Sequence, residues 1–264
     1  MKTPIALFAI LLTIITACNW DKPHAQRPDV TKDTLAYKYE VFKQRADDCG
    51  NKPDSGCTVI NIKYPRFSGE PELNDTIEHR VTTLFQISED EGRSLPALAK
   101  QFMDTYRKGR RVPPVPYTLL TQAKVVRQDS DLVTIEISGY NFMGGAHGSS
   151  ITTFINWNTA TKRNVTLGDI LTAGHEKPLT GIAEKIFRKD EKLSDTASLK
   201  TNYFFTGGVF SLNHNFLITP VGLRFLYNQY EIKPYAAGQT NLVIPYSQIK
   251  SLLKPHTVVS QYHK

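Results

Sequence analysis

The stretch YTLLTQAKVVRQDSDLVTIEISGYNFMGGAHGSSITTFINW, Tyr117 to Trp157, decides the fold class. Leu119, Ala123 and Val125 fall at alternating positions. So do Val133, Ile135 and Ile137, and then Ile151, Thr153, Ile155 and Trp157. A period of two places one set of side chains on one face of a strand. Gln128 to Asp131 supplies turn residues between the first two runs, as in a hairpin. Gly139 to Gly148 is predicted to interrupt the sheet before the third run.

Helical patterns lie on either side. Leu73, Ile77, Val81 and Leu84 share one face, and Pro71 suits the first turn of a helix. Gly92 breaks the chain. Ser94 is an N-cap for a stripe of Leu95, Leu98, Ala99, Phe102, Met103 and Tyr106, with Gly109 as terminator. Pro113-Pro114-Val115-Pro116 reads as a stiff connector. Leu179, Ile182, Ala183, Ile186 and Phe187 mark a third helix. Strands are predicted at Tyr37–Phe42, Cys57–Tyr64, Phe216–Thr219, Leu223–Tyr227 and Asn241–Ile244. A short strand is predicted up to Leu167, and a last helix capped by Ser247 carries Ile249, Leu252 and Leu253. Strands and helices come in groups, which predicts an α+β fold of mostly antiparallel sheets with packed helices.

The chain opens MKTPIALFAILLTIITAC. Lys2 precedes an apolar run from Pro4 to Ile15, too short for a membrane span, and small residues lead into Cys18. This ending resembles the bacterial lipobox. Residues 1–17 are therefore expected to be a signal peptide, Cys18 a lipidated N-terminus, and 18–36 a polar tether. The expected location is outside the cytoplasm, anchored to the envelope, with a membrane as the first partner. A plain secretory signal is the alternative.

Cys49 and Cys57 flank a run of turn formers, Gly-Asn-Lys-Pro-Asp-Ser-Gly. In an oxidising compartment they are expected to form a disulfide, and no zinc-type spacing lies beside them. The net charge is +7. That suits anionic surfaces, or simple solubility. The densest basic cluster, Arg107-Lys108-Gly109-Arg110-Arg111, lacks interleaved aromatics, so no nucleic-acid partner is expected.

No nucleophile elbow, zincin helix, phosphate loop or dinucleotide fingerprint occurs. His175-Glu176 runs into Lys177-Pro178 and cannot continue as a zinc-binding helix. No catalytic residue, metal or cofactor is assigned. Two strings remain. In Gly144-Gly145-Ala146-His147-Gly148, glycines permit positive φ or close approach, and the histidine can bind metal, move a proton or fix a turn. His214 is a second histidine with no sequence link to it. In Tyr230-Glu231-Ile232-Lys233-Pro234-Tyr235-Ala236-Ala237-Gly238, the tyrosines suit a packed turn or a recognition surface.

Taken with Tyr64-Pro65, Leu73-Asn74-Asp75-Thr76-Ile77, Tyr140, NWNTATKRNVTLGDIL (Asn156–Leu171) and Ile244-Pro245-Tyr246, these strings carry a resemblance. Residues 37 to 254 resemble the paired extracytoplasmic domains of the anti-sigma factor RsiV and of PdaC-type polysaccharide deacetylases. The resemblance implies an RsiV-like α+β domain, with 37–148 as a PdaC-like part and 149–264 as an RsiV-like part packed as one unit. It implies a binding role, with an envelope protein such as lysozyme, or a cell-wall glycan, as partner. Tyr140, Gly144, Gly145, His147, Gly148, Tyr230, Pro234, Tyr235 and Gly238 are the binding or structural candidates. Neither the cytoplasmic and transmembrane segments of an anti-sigma factor nor a deacetylase domain is expected. A lysozyme partner would meet a like-charged body, so an acidic patch is expected to serve it: Glu70, Glu72, Asp75, Glu78 and Glu89-Asp90-Glu91. The alternative activity is envelope polysaccharide hydrolysis with His147 as acid/base or metal ligand.

Overall fold

A computed structural model describes residues 35–85, 94–109 and 115–263. The expected signal peptide, Cys18 and the expected tether up to residue 34 lie outside the described residues. So do Gly92, Glu89-Asp90-Glu91, Arg110-Arg111 and Pro113-Pro114.

The Tyr117–Trp157 stretch forms the middle of a six-stranded sheet. Its strands are β1 (Tyr37–Arg45), β2 (Val59–Phe67), β3 (Thr118–Asp129), β4 (Leu132–Phe142), β5 (Ser149–Asn158) and β6 (Arg163–Asn164), in that spatial order. All neighbours are antiparallel except β2 and β3. That parallel pair needs a crossover. The crossover contains α1 (Pro71–Thr82) and α2 (Leu95–Lys108).

Both helices start as the sequence indicates. Pro71 stands in the first turn of α1, and the Ser94 side chain accepts from the Ala97 N–H at the start of α2. Gly109 ends α2, but at φ −89° rather than in a left-handed conformation. Space is what it supplies, because a Cβ there would lie 2.5 Å from the Tyr117 hydroxyl. The apolar faces of α1 and α2 pack with Ile60, Ile62, Leu119, Ala123, Ile135 and Ile137 into a first core. Cys49 and Cys57 are disulfide-bonded in this core, with Cα atoms 5.2 Å apart, and close the β1–β2 connection.

The predicted turn is narrower than expected. Gln128 and Asp129 belong to β3 and are buried, and only Ser130 and Asp131 turn, Asp131 at φ +55°. A bulge between Val125 and Arg127 shifts the register. The predicted interruption also shortens, since β4 runs on through Gly139 to Phe142, leaving Met143 to Gly148 as the loop. The residues up to Leu167 are not one strand. Thr166 and Asp169 form a capping box that opens the short helix α3 (Leu167–Ile170).

The second core belongs to a three-stranded antiparallel sheet, β7 (Phe216–Thr219), β8 (Gly222–Tyr227) and β9 (Thr240–Pro245). It packs under α3 and α4 (Glu176–Asp190) with Phe187, Phe205, Phe210, Phe225 and Tyr227. Ser247 caps no helix. The chain makes two 3₁₀ turns there, because Leu253 is drawn into a bridge with Leu171 and the Leu252 carbonyl accepts from Thr172.

The small sheet lies across the second face of the large one. Phe154, Leu217 and Leu226 form a small apolar contact between them, and Arg224 sits over the Phe154 ring and 3.5 Å from Glu136. Side-chain amides complete the join. Asn156 on β5 donates to the Phe216 carbonyl (2.9 Å) and accepts from the Ile218 N–H (2.8 Å). Asn228 accepts from the Thr152 N–H (2.8 Å) and donates to its carbonyl (3.1 Å). The same device recurs within the first lobe, where Asn74 bonds both backbone groups of Phe67 and Gln128 bonds both of Leu35. Each amide does what a neighbouring strand would do and leaves no orphan polar group. The expected boundary after residue 148 falls in the β4–β5 loop, between adjacent strands of one sheet. Among the described residues no helix is long and apolar enough to cross a membrane.

Candidate functional site

The small sheet covers only part of the second face of the large sheet. The uncovered part is a groove of about 740 Å³. Its floor follows the strand register. One row crosses Asn61, Leu120, Tyr140 and Ser150, and the next crosses Val41, Lys63, Gln122, Ser138 and Thr152. Gln229 and Gln239 form the wall on the side of the second lobe. Asn228 fixes that wall through its grip on Thr152, and the Gln239 amide donates to Thr152 Oγ1 and Asn228 Oδ1.

The candidate residues meet at the rim. His147 stacks on Tyr235 with ring centroids 4.0 Å apart, and Tyr230 adds a third ring 5.6 Å from Tyr235. His147 Nδ1 lies 2.9 Å from the Gly148 carbonyl, so this nitrogen carries the proton and donates. Nε2 lies 3.3 Å from the Tyr230 hydroxyl. Tyr230 holds φ +66°, a costly conformation for a residue with a Cβ, and is 55% exposed. Ile232 anchors the same segment in the second core, and Lys233 pairs with Glu191 at 2.8 Å. Pro234 is exposed and opens a 3₁₀ turn that ends at Gly238, φ +70°.

Two glycines of the 144–148 string have distinct reasons. Gly144 has φ +82°. At Gly148 an added Cβ would lie 2.3 Å from the Tyr140 ring. Gly148 therefore lets Tyr140 lie flat beside the loop and form the end of the groove. Gly145 meets only an ordinary contact. Gly148→Ala is expected to turn Tyr140 out of this position while the sheet stays folded. An unchanged chemical shift for the Tyr140 ring in the variant would contradict that.

His214 is elsewhere, in a separate cleft with Arg80, His175 and Glu176. Among the described residues no group of three or more His, Cys, Asp or Glu side chains is placed to hold a metal ion. Glu72 and Asp75 are exposed on α1, which packs on the other face of the sheet from the groove. Glu70 is largely buried, 3.9 Å from Lys162. The groove floor itself, Asn61, Lys63, Leu120, Gln122, Ser138 and Ser150, was not legible as a site. Outward positions of a half-buried strand are ordinarily polar. The only signal was that so few of them carry charge.

Two lobes, each a sheet with helices on one face, joined so that one sheet shelters part of the other, define a paired α+β domain protein. A family model described as "Protein of unknown function (DUF3298)" matches residues 168–247, and one described as "Deacetylase PdaC" matches residues 51–150. The two matches, in this order along the chain, fit the RsiV/PdaC-type domain pair. A DUF3298 family protein from Pseudomonas aeruginosa PAO1 is similar over 84% of this chain and 96% of its own, with 27% identity and a TM-score of 0.70. A second, from Bacteroides fragilis NCTC 9343, is similar over 87% and 97%, with 21% identity and a TM-score of 0.65, and shares the fold. Among curated proteins no match was found.

Proposed function

We propose that this protein is a binding module of the cell envelope that holds an envelope protein or cell-wall glycan without acting on it. The observation that carries this is the groove lining, which among the described residues includes one charged side chain, Lys63, and no carboxylate or histidine. Acid/base cleavage of a polymer needs titratable groups within reach of the bond. His147 at the rim contacts two tyrosines and a backbone carbonyl, and no carboxylate among the described residues orients it. The hydrolase reading has no second group to work with there.

Residues 1–17 and the cysteine that follows them support export and lipid anchoring at Cys18. The buried Cys49–Cys57 disulfide suits the same oxidising compartment. Mass spectrometry of the mature N-terminus is expected to find acylated Cys18, and an unmodified N-terminus at another residue refutes the anchor. For binding, the chain from residue 18 on, with Cys18→Ser, is mixed with purified cell-wall sacculi and, separately, with a basic lysozyme. Retention by at least one, without release of reducing ends or acetate, is the expected result. Retention by neither, or release of products, overturns the proposal. Lysozyme binding that survives reversal of Glu70, Glu72, Asp75 and Glu78 to lysine would place that partner away from α1.

A further inference from the structure

We infer that the groove on the open sheet face takes a glycan chain bearing acetamido groups, laid across the strands. This rests on the reading of the groove as a binding site. The floor presents Asn61, Gln122, Ser138 and Ser150, and none of the four makes a side-chain hydrogen bond to the described residues. They lie on four adjacent strands in two consecutive register rows, with Leu120 and Tyr140 between them. Gln229 in the wall has a buried side-chain oxygen with no hydrogen-bond partner among the described residues. A buried polar atom left over in this way shows that the wall is not fully satisfied by the protein's own groups.

The chemistry of this set selects its ligand. An amide side chain presents a donor and an acceptor together, which is what an acetamido group also presents. Hydroxyls exchange both roles with sugar hydroxyls. The apolar Leu120 and the half-exposed Tyr140 ring supply faces for the C–H sides of sugar rings and for acetyl methyls. Lys63, held over the Tyr39 ring at 4.9 Å, is the one charge, so the ligand is neutral or weakly anionic. A protein partner is less well served, because the groove floor has no buried apolar centre to anchor it. Five strands at their normal spacing span roughly 19 Å, long enough for several sugar rings in line.

The test is calorimetry of the chain from residue 18 on, with Cys18→Ser, against chitin oligosaccharides. Cello-oligosaccharides, which keep the hydroxyls and lose the acetamido groups, form a second arm. Saturable binding of the chitin series is expected, with the cello series at least tenfold weaker. Asn61→Ala with Gln122→Ala should weaken it about tenfold or more, Tyr140→Ala likewise, and Tyr140→Phe much less. The urea midpoint of each variant checks that it is folded. No saturable heat with the chitin series overturns the inference, as does binding unchanged by Asn61→Ala with Gln122→Ala. Equal binding of the cello series overturns its acetamido part. If lysozyme is held while no glycan is, this inference alone fails; if sacculi, lysozyme and glycan are all refused, the binding reading fails with it.

Discussion

Asn156→Ala is expected to lower the stability of the protein by about 2 to 5 kcal/mol, because it orphans two buried backbone groups at once. The Ile218 N–H loses its acceptor and the Phe216 carbonyl loses its donor. Asn156 is 2% exposed, so water does not replace it readily. The effect is read as a fall in the urea midpoint with little change in slope. Asn158, two residues on, is a useful contrast. Its side chain accepts from the N–H groups of Ala160 and Thr161 in an exposed turn. Asn158→Ala is expected to cost less than half as much. Equal losses at the two positions would mean that the amide bridge between the lobes contributes nothing special.

Gly222→Ala is the second large effect. Gly222 opens β8 and faces the β9 backbone so closely that a Cβ would lie 2.1 Å from the Ile244 carbonyl oxygen. Backbone cannot step aside as a side chain can. The β8–β9 ladder, which pairs Gly222 with Pro245, must open or shift. A loss of about 3 kcal/mol is expected, at the upper end of overpacking. Thermal melting checks it, and a melting temperature within a degree of the parent would contradict this geometry. Gly222 carries no sequence signal of this role, since it reads as one end of an ordinary turn after Pro220 and Val221.

The contrast between these two positions shows where reading the sequence stops. Alternation in Tyr117–Trp157 and the stripes of α1, α2 and α4 were legible because each depends on residues close in the chain. The antiparallel α+β class follows from them. His147, Tyr230 and Tyr235 were also singled out, each from its own string, but nothing local said that the rings would stack. The amide bridges were invisible for the same reason. Asn156 and Phe216 are 60 residues apart, and Asn228 and Thr152 are 76 apart. An asparagine in a strand is disfavoured by propensity alone, so its role becomes plain only when the distant backbone it serves is in place. Ser247 carries a helix-cap signal, but the bridge between Leu253 and Leu171 sets the chain's direction there.

The grip of Gln128 on Leu35 has a mechanical consequence. It pins the N-terminal segment at the end of the large sheet where β3 and β4 turn, just before β1 begins. From there β1 runs toward the groove, and Val41 lies roughly 20 Å further along. A pull on the chain before Leu35, resisted by something seated in the groove, is therefore directed along the strands. It loads the nine paired positions of β1 and β2 side by side, in shear, rather than opening them one after another.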